Sequence, residues 1–383
     1  MSAPLRFARG ANDWFWQRVA SSVEVPAASL GVFRWIFGLF LLVETPYFAW
    51  IDRVPHGLFT PPIFSPAFLL PSFPPSPFFS VLDAVVIASL CCVTVGYRTR
   101  LFTVMLVASL LVGFNFRYCF GKADADSLYF IVLVCMEIAG WGNFYSIDSL
   151  RGQIEPMSAK AAATRATRGV SLFAVLLAFG MVTAGLEKAR SWMDFNLGTS
   201  GFLMWFYPQY YDFGRHLLLA NWVPRIPIWQ LKVGDYLAPT FELSGFAFLL
   251  YSRRAWRLWL FIACGFHLVN ALLLNIGFNE QALSYLAFVD LSRLTVNRWR
   301  HLDPRRMIAG GTLLVGSMGM WHVVSRSLGH GSRVLLVQNV AKEQPFFLYF
   351  CIPICAVVLW ALARELLART PPAMIELRGN RAV

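Results

Sequence analysis

Three ionisable side chains lying within long apolar runs could carry out proton transfer. Lys188 ends the segment Ala184-Gly185-Leu186-Glu187-Lys188, whereas Glu242 and His267 lie in two later runs. An amine that is held away from water can act as a general base near neutral pH, and a histidine can pass a proton on. Ionisable groups inside a membrane span are costly, so their presence points to function. We therefore predict Lys188, Glu242 and His267 as catalytic residues.

Each of these residues also has a purely structural interpretation. Lys188 could extend to the membrane interface, or pair with Glu187 or Glu242. Glu242 could then be no more than a salt-bridge partner. His267 could form an interhelical hydrogen bond that only fixes the packing. The residues alone leave these alternatives open.

Three of the four charged residues between the third and fourth apolar runs are further candidates. They are Arg117, Asp124 and Asp126, which we predict to line a cofactor or substrate site at the outer ends of those runs. The two carboxylates could bind a cation or be solvated, and Asp126 could also cap the helix that begins at Ser127.

Other polar residues in the apolar runs suggest structure rather than chemistry. Arg34 and Asp290 lie near the predicted inner face, which suggests structural pairing, whereas Glu137 has no assigned role. The histidines lack the spacing that metal ligands use on a helix, so we predict no metal.

The elements that must position these residues are transmembrane helices. Apolar runs close to the bilayer-spanning length of about 20 residues recur along the chain, and such runs must be helical in lipid. We predict an all-α polytopic bundle of about eight to ten spans without a soluble domain. The candidate spans are Ser29–Trp50, Phe79–Val95, Leu101–Phe116, Ser127–Gly142, Ser171–Arg190, Leu237–Ser252, Trp256–Gly277, Gln281–Leu294, Ile308–Ser325 and Phe346–Leu367.

The composition agrees with a membrane protein and argues against a soluble one. Hydrophobic residues make up 57% of the 383 residues and charged residues only 14%, about half the share found in soluble domains. The net charge of +12 lies largely in short loops between the apolar runs, so it indicates topology rather than a nucleic-acid partner. The seven cysteines contain no C-x-x-C pair and are interpreted as packing residues.

The loop charges predict the orientation. If the spans alternate, the basic loops all fall on one side, which makes both termini cytoplasmic. Residues 1–26, with Trp14 and Trp16 among arginines, read as a cytoplasmic interfacial helix. The absence of a retention signal and of glycosylation sequons favours a bacterial inner membrane.

The opposite side carries a long aromatic stretch, Ser191–Asp235, which includes Trp192, Trp205 and Tyr207. Such residues usually form an interfacial belt. They could also roof a cavity for an aromatic or lipid-like ligand, and we predict that these three line it.

Several short blocks resemble the HTTM domain, the membrane portion of the vitamin K-dependent γ-carboxylase family. They occur in the family's order across roughly residues 27 to 290, and each resembles one of its motifs. The blocks are Phe33-Arg34 with Gly38, Gly96-Tyr97-Arg98-Thr99-Arg100, Asp124 to Ser127 followed by Tyr145-Ser146-Ile147-Asp148, Ala184-Gly185-Leu186-Glu187-Lys188 with Trp192, and Glu242 followed by Phe266-His267.

The resemblance implies a function. In that family the lysine is the base of vitamin K hydroquinone chemistry and the histidine lines the same pocket, roles that fall on Lys188 and His267. We therefore expect an HTTM-like core over residues 27–305, with two further spans and a cytoplasmic tail over residues 306–383. The chain departs from the family at Glu187, where the family has a second lysine, and at Asp126, where it has a histidine. It also has no counterpart of the large lumenal domain.

The expected function is a carboxylase-like membrane enzyme of the lyase or oxidoreductase type. It would use vitamin K hydroquinone or another quinol to modify a secreted peptide or small substrate at the extracytoplasmic face. The alternative is a non-catalytic scaffold or maturation partner for an exported peptide. The bilayer is the remaining expected partner.

Overall fold

The computed structural model describes residues 3–63, 65–120, 127–154, 157–292, 304–329, 333–335, 337 and 340–368. Within these residues every regular element is helical, and the β pairing is limited to a bridge between Glu44 and Val334. The all-α prediction is thus confirmed. The helices in chain order are α1 (Ala3–Val23), α2 (Ala27–Val43), α3 (Phe78–Val95), α4 (Thr99–Arg117), α5 (Ser127–Ala139), α6 (Ile147–Leu150), α7 (Ala159–Trp192), α8 (Gly201–Tyr207), α9 (Ile228–Leu243), α10 (Gly245–Tyr251), α11 (Arg253–Leu274), α12 (Asn279–Ser284), α13 (Pro304–Ser327) and α14 (Val340–Leu367).

The chain forms two compact units. Unit 1 comprises Met1–Val25, Val170–Val289 and Pro345–Val383, and unit 2 comprises Pro26–Gly169 and Asp290–Gln344. The division into residues 1–26, 27–305 and 306–383 stays a prediction, and residues 369–383 of the predicted tail lie outside the described residues.

Six of the described helices, α3, α4, α7, α11, α13 and α14, are long and apolar enough to cross a membrane, or seven spans result if α1 and α2 count together as one. The predicted number of eight to ten is not confirmed. Two of the predicted spans account for much of the difference.

The first is Leu237–Ser252, which is not one helix. It is divided between α9 and α10 at Ser244, whose hydroxyl donates to the carbonyl oxygen of Phe241 at 2.6 Å. The second is Gln281–Leu294, where α12 ends at Ser284 and a 3-10 turn follows to Phe288. Nearly all residues from 279 to 289 are buried in unit 1. Their apolar character therefore reflects burial inside the protein, as is usual for runs shorter than about 15 residues.

Helix α11 positions the central histidine. Ser252 caps its start by accepting a hydrogen bond from the backbone N–H of Ala255. Its buried residues recur every three or four positions and include Trp256, Trp259, Ala263 and His267, which places the imidazole on the internal face.

The end of α11 is fixed to the aromatic stretch. Asn275 adopts the left-handed conformation common after a helix C-terminus. Its side-chain oxygen accepts the N–H of Leu217 at 2.7 Å, and its side-chain nitrogen donates to the carbonyl of Leu217 at 2.9 Å. The backbone N–H and C=O groups of Leu217 are thereby both hydrogen-bonded to the side chain of Asn275.

The N-terminal helix is held within unit 1 by a buried arginine. The guanidinium of Arg257 donates to the carbonyl oxygens of Ser22 and Glu24, at and just beyond the end of α1. A cation at this position satisfies carbonyls that have no partner within the helix and complements its dipole. Ala3–Val23 of the predicted N-terminal segment is helical, and the location of this segment at a membrane interface stays a prediction.

Candidate functional site

The centre of the candidate site is an ion pair in unit 1. The ammonium of Lys188, near the end of α7, donates to the Oε1 of Glu242 on α9. The glutamate side chain is 3% exposed and the lysine side chain 22% exposed. The second carboxylate oxygen, Oε2, is buried without a hydrogen-bond partner. One oxygen is thus used by the lysine, and the other remains able to accept a proton or a ligand hydrogen bond.

A glycine lets the two helices approach closely enough for this pair to form. A Cβ added to Gly185 would lie 2.9 Å from the Cβ of Glu242 and 3.1 Å from the backbone nitrogen of Leu243. Gly185 precedes Lys188 by nearly one turn, so it lies on a neighbouring part of the same helix surface. In the block Ala184-Gly185-Leu186-Glu187-Lys188, the glycine therefore permits the close approach of α9, and the lysine pairs with the glutamate that this approach brings near.

Aromatic rings surround the amine. The Nζ of Lys188 lies 5.8 Å from the ring centroid of Trp192 and 5.9 Å from that of Phe266, both within the range of cation–π attraction. Gly201 packs directly against the indole, because a Cβ there would approach the ring to 2.2 Å. Trp192 is buried as a result.

His267 forms the second polar pair of unit 1. Its Nε2 lies 2.8 Å from the hydroxyl oxygen of Tyr285, and both side chains are buried. The Nδ1 is buried without a hydrogen-bond partner. Whichever tautomer is present, one ring nitrogen therefore has an unused donor or acceptor. Such an atom is uncommon in a protein interior and needs an explanation.

The two pairs belong to one group of side chains, which we call the amine–imidazole cluster: Lys188, Glu242, His267 and Tyr285. Phe266, which contacts the amine, directly precedes His267 in α11. The ring centroids of Phe266 and His267 lie 5.8 Å apart. The ring of Phe278 covers the imidazole at a centroid distance of 4.6 Å. The two polar pairs thus lie on either side of the Phe266 ring, in apolar surroundings.

Three other residues that were predicted to bind a ligand lie elsewhere. Trp205 and Tyr207 lie on α8 and are a little under half exposed, with Tyr207 packed on Phe206 and Tyr211. Arg117 belongs to unit 2, where its guanidinium lies over the ring of Phe114 at 5.8 Å.

The remaining two predicted site residues, Asp124 and Asp126, lie outside the described residues. Among the residues that the structure does describe, no group of three His, Cys, Asp or Glu side chains could hold a metal ion.

The polar residues that we assigned to structure have separate partners. Arg34 is fully buried and donates only to backbone carbonyls, so it is not paired with Asp290. Asp290 accepts hydrogen bonds from Ser29 and Ser292. Glu137, which had no assigned role, lies 3.8 Å from Arg165.

A buried lysine, Lys232, was not predicted from the sequence. The Nζ of Lys232 on α9 lies 2.6 Å from Asp194 and 3.1 Å from the carbonyl of Trp192. Asp235, 3.9 Å from the same amine, caps α8 through the backbone N–H groups of Gly201 and Phe202. The Lys232 hydrogen bond, followed by that from the N–H of Asn196, lowers the pKa of Asp194.

These hydrogen bonds fix the segment that follows Lys188, from Trp192 to Phe202, to helix α9. The signal in the sequence is the i, i+3 spacing of Lys232 and Asp235 in an otherwise apolar helix. Tyr285 was also missed, since a tyrosine in an apolar run is indistinguishable from core packing until its hydroxyl partner is known.

Comparison of the chain with family models, with curated proteins and with solved structures found no match.

Proposed function

We propose that the chain is a multi-pass membrane protein whose unit 1 is an enzyme that transfers protons to and from a lipophilic molecule. The membrane part of the proposal is supported by six helices that are long and apolar enough to span a bilayer. The enzymatic part depends on one observation: the amine–imidazole cluster contains two buried polar atoms without partners, Oε2 of Glu242 and Nδ1 of His267.

The Lys188–Glu242 pair is suited to act as the base. In a low-dielectric interior the charged pair loses much of its advantage over the neutral pair of amine and carboxylic acid. Moving one proton from Nζ to the carboxylate therefore frees the amine without creating net charge. The free amine can then accept a proton from a bound molecule, and Glu242 orients it throughout. His267 and Tyr285 form the second proton-transfer pair.

The residues present fit a quinol. Trp192, Phe266 and Phe278 supply aromatic surfaces, and the two unpartnered polar atoms can bind hydroxyl groups at the edge of a ring. A bound quinol such as vitamin K hydroquinone would supply the reducing equivalents for oxygen-dependent chemistry. The residues of this chain would hold it, keep water away and move its hydroxyl proton to the Nζ of Lys188.

The resemblance to the HTTM domain extends the proposal to the substrate and its side of the membrane. The reaction would modify a secreted peptide or small molecule at the extracytoplasmic face of a bacterial inner membrane, with both termini in the cytoplasm. Exposed aromatic residues at 195, 205, 222 and 229 in unit 1 are consistent with an interfacial belt near that face.

The test compares exported peptides and metabolites by mass spectrometry in cells that carry the wild type, a deletion or a variant. Lys188→Met should abolish the products that the deletion abolishes, while the protein still accumulates in the membrane. Lys160→Met is the matched control, since Lys160 is an exposed lysine of the same helix.

The proposed enzyme and the alternative, a non-catalytic scaffold for an exported peptide, predict opposite results. Full product formation by Lys188→Met would contradict catalysis and favour the scaffold. Bound quinone, extracted from the purified protein and identified by mass spectrometry, gives a second readout. It should be present in the wild type and in Lys160→Met, and depleted in Lys188→Met.

A further inference from the structure

An open depression in unit 2, about 560 Å³ in volume, lies at the start of α4. Its lining combines charged, polar and apolar side chains, among them Arg98, Arg100, Leu101, Val104, Asp148 and Gln153. All of these lining residues belong to unit 2.

The charges of the depression favour an anion. Arg98 and Arg100 are exposed, and Arg151 lies close by with its guanidinium 5.2 Å from the ring of Tyr97. Arg98 lies over the same ring at 5.9 Å. Planar guanidinium groups bind phosphate through paired hydrogen bonds.

The carboxylate in the lining does not cancel this charge at the surface. Asp148 is buried and accepts hydrogen bonds from the N–H of Arg98 at 2.8 Å and from the N–H and hydroxyl of Thr99 at 3.0 and 3.1 Å. It thereby caps the start of α4, where the helix dipole offsets its charge. The arginine side chains remain available.

An apolar stripe continues from the depression along α4. Leu101 and Val104 are exposed in the depression itself, and Met105, Leu111 and Val112 are exposed further along. Together with the exposed Ala108 these positions recur every three or four residues, so they form one face of the helix. Since α4 is long and apolar enough to span a bilayer, this face is suited to contact acyl chains.

We propose that this depression binds an anionic phospholipid, with its phosphate on Arg98 and Arg100 and an acyl chain along the exposed face of α4. A phosphate ion would use the arginines alone, whereas a lipid uses the arginines and the apolar stripe together. The inference depends on the membrane location of α4 and is independent of the enzymatic proposal for unit 1.

The experiment reconstitutes the full chain in phosphatidylcholine vesicles with or without phosphatidylglycerol, then transfers it to mild detergent and measures retained lipid by native mass spectrometry. The wild type should retain phosphatidylglycerol in preference to phosphatidylcholine. The double variant Arg98→Gln/Arg100→Gln should retain about tenfold less. Arg168→Gln/Arg306→Gln, which removes two other exposed arginines of unit 2, should behave as the wild type. Equal losses in both double variants would overturn the proposal.

Two measurements on the wild type complete the test. Raising the salt concentration should release phosphatidylglycerol, because screening weakens exposed charge pairs, and retention that is independent of salt would contradict the assigned arginines. Inorganic phosphate should displace the lipid only weakly. Displacement by phosphate at concentrations comparable to that of the lipid would identify a free-anion site and overturn the lipid assignment.

Discussion

The backbone of Gly185 touches the side chain of Glu242: a Cβ at position 185 would lie 2.9 Å from the Cβ of the glutamate. Real Cβ atoms do not approach each other this closely, so α7 and α9 can hold their present separation only with glycine at this position. The Lys188–Glu242 pair lies immediately beside this contact, which makes its geometry sensitive to a single methyl group.

Gly185→Ala should therefore move α9 away from α7 and destabilise the protein by about 1–3 kcal/mol, the usual cost of overpacking. The effect can be measured as a lower midpoint of thermal unfolding in detergent. Gly180→Ala is the matched control in the same helix, because a Cβ at Gly180 meets no atom within 4 Å. Alanine is the better helix former, so this control should be neutral or slightly stabilising. Equal behaviour of the two variants would contradict the close approach.

Lys188→Met should leave the buried carboxylate of Glu242 without its counter-charge. The expected destabilisation is about 2–4 kcal/mol, between the values for surface and fully buried ion pairs. Adding Glu242→Gln should restore much of this loss, because the neutral amide no longer needs a cation. The coupling energy follows from a double-mutant cycle in denaturant. Additive effects of the two substitutions would show that the pair is not energetically coupled.

Tyr285→Phe should remove the partner of the His267 Nε2 while keeping the ring that packs in the core. We expect a loss of about 1–3 kcal/mol, since the imidazole would then be buried without any hydrogen bond. Tyr251→Phe, at a tyrosine that is 78% exposed, should leave the unfolding midpoint unchanged. A Tyr285 variant as stable as the wild type would argue against the hydrogen bond.

Low pH should reduce the stability that the hydrogen bonds of Asp194, in the segment after α7, contribute to the fold. The hydrogen bonds from Lys232 and from the N–H of Asn196 lower the pKa of Asp194 in the folded state. Its stabilising contribution is therefore present above the unfolded-state pKa of about 4 and is lost as the pH falls through the lower folded value. Asp194→Asn should flatten this part of the stability curve, measured by thermal unfolding between about pH 3 and pH 6.

The control for this pH dependence is Asp212→Asn, which changes an exposed aspartate of the same aromatic stretch. It should leave the acid-dependent loss of stability in place. Identical curves for the Asp194 variant and the wild type would exclude Asp194 as the titrating group.

Arg34→Lys should be strongly destabilising although it keeps the charge. The guanidinium of Arg34 reaches several carbonyl oxygens from different directions, and a lysine has neither the reach nor the fork-shaped geometry to replace it. We expect a loss of at least about 3 kcal/mol in unfolding free energy, because buried carbonyls would lose their donors. Arg168→Lys, at an exposed position, should cost almost nothing. The carbonyls concerned are those of Thr94, Trp141, Phe144 and Tyr145.

Much of the centre of the candidate site could be predicted from the sequence. A lysine, a glutamate and a histidine in apolar runs had to find polar partners, and the pairing of Lys188 with Glu242 was one of the alternatives considered. The identity of the histidine partner could not be predicted, because Tyr285 lies in a run whose apolar character suggested a membrane span.

The number of spans was harder to predict for a related reason. Hydropathy does not separate a run buried by protein from a run buried by lipid. Residues 279 to 289 are buried inside unit 1, and the break between α9 and α10 at Ser244 leaves no mark on composition. The long, continuous and apolar helix α3 agreed with its predicted bounds to within one residue, whereas α11 begins and ends three residues before its predicted bounds.

The double hydrogen bond between Asn275 and Leu217 couples two parts of unit 1 mechanically. Leu217 lies in the aromatic stretch, and Asn275 ends the helix that carries His267 eight residues earlier. Since an α-helix is stiff over two turns, the stretch cannot swing outward at this point as an independent flap. Outward movement either breaks both hydrogen bonds or pulls the end of α11 with it. In the second case, displacement of the outer aromatic residues would also shift the imidazole of His267.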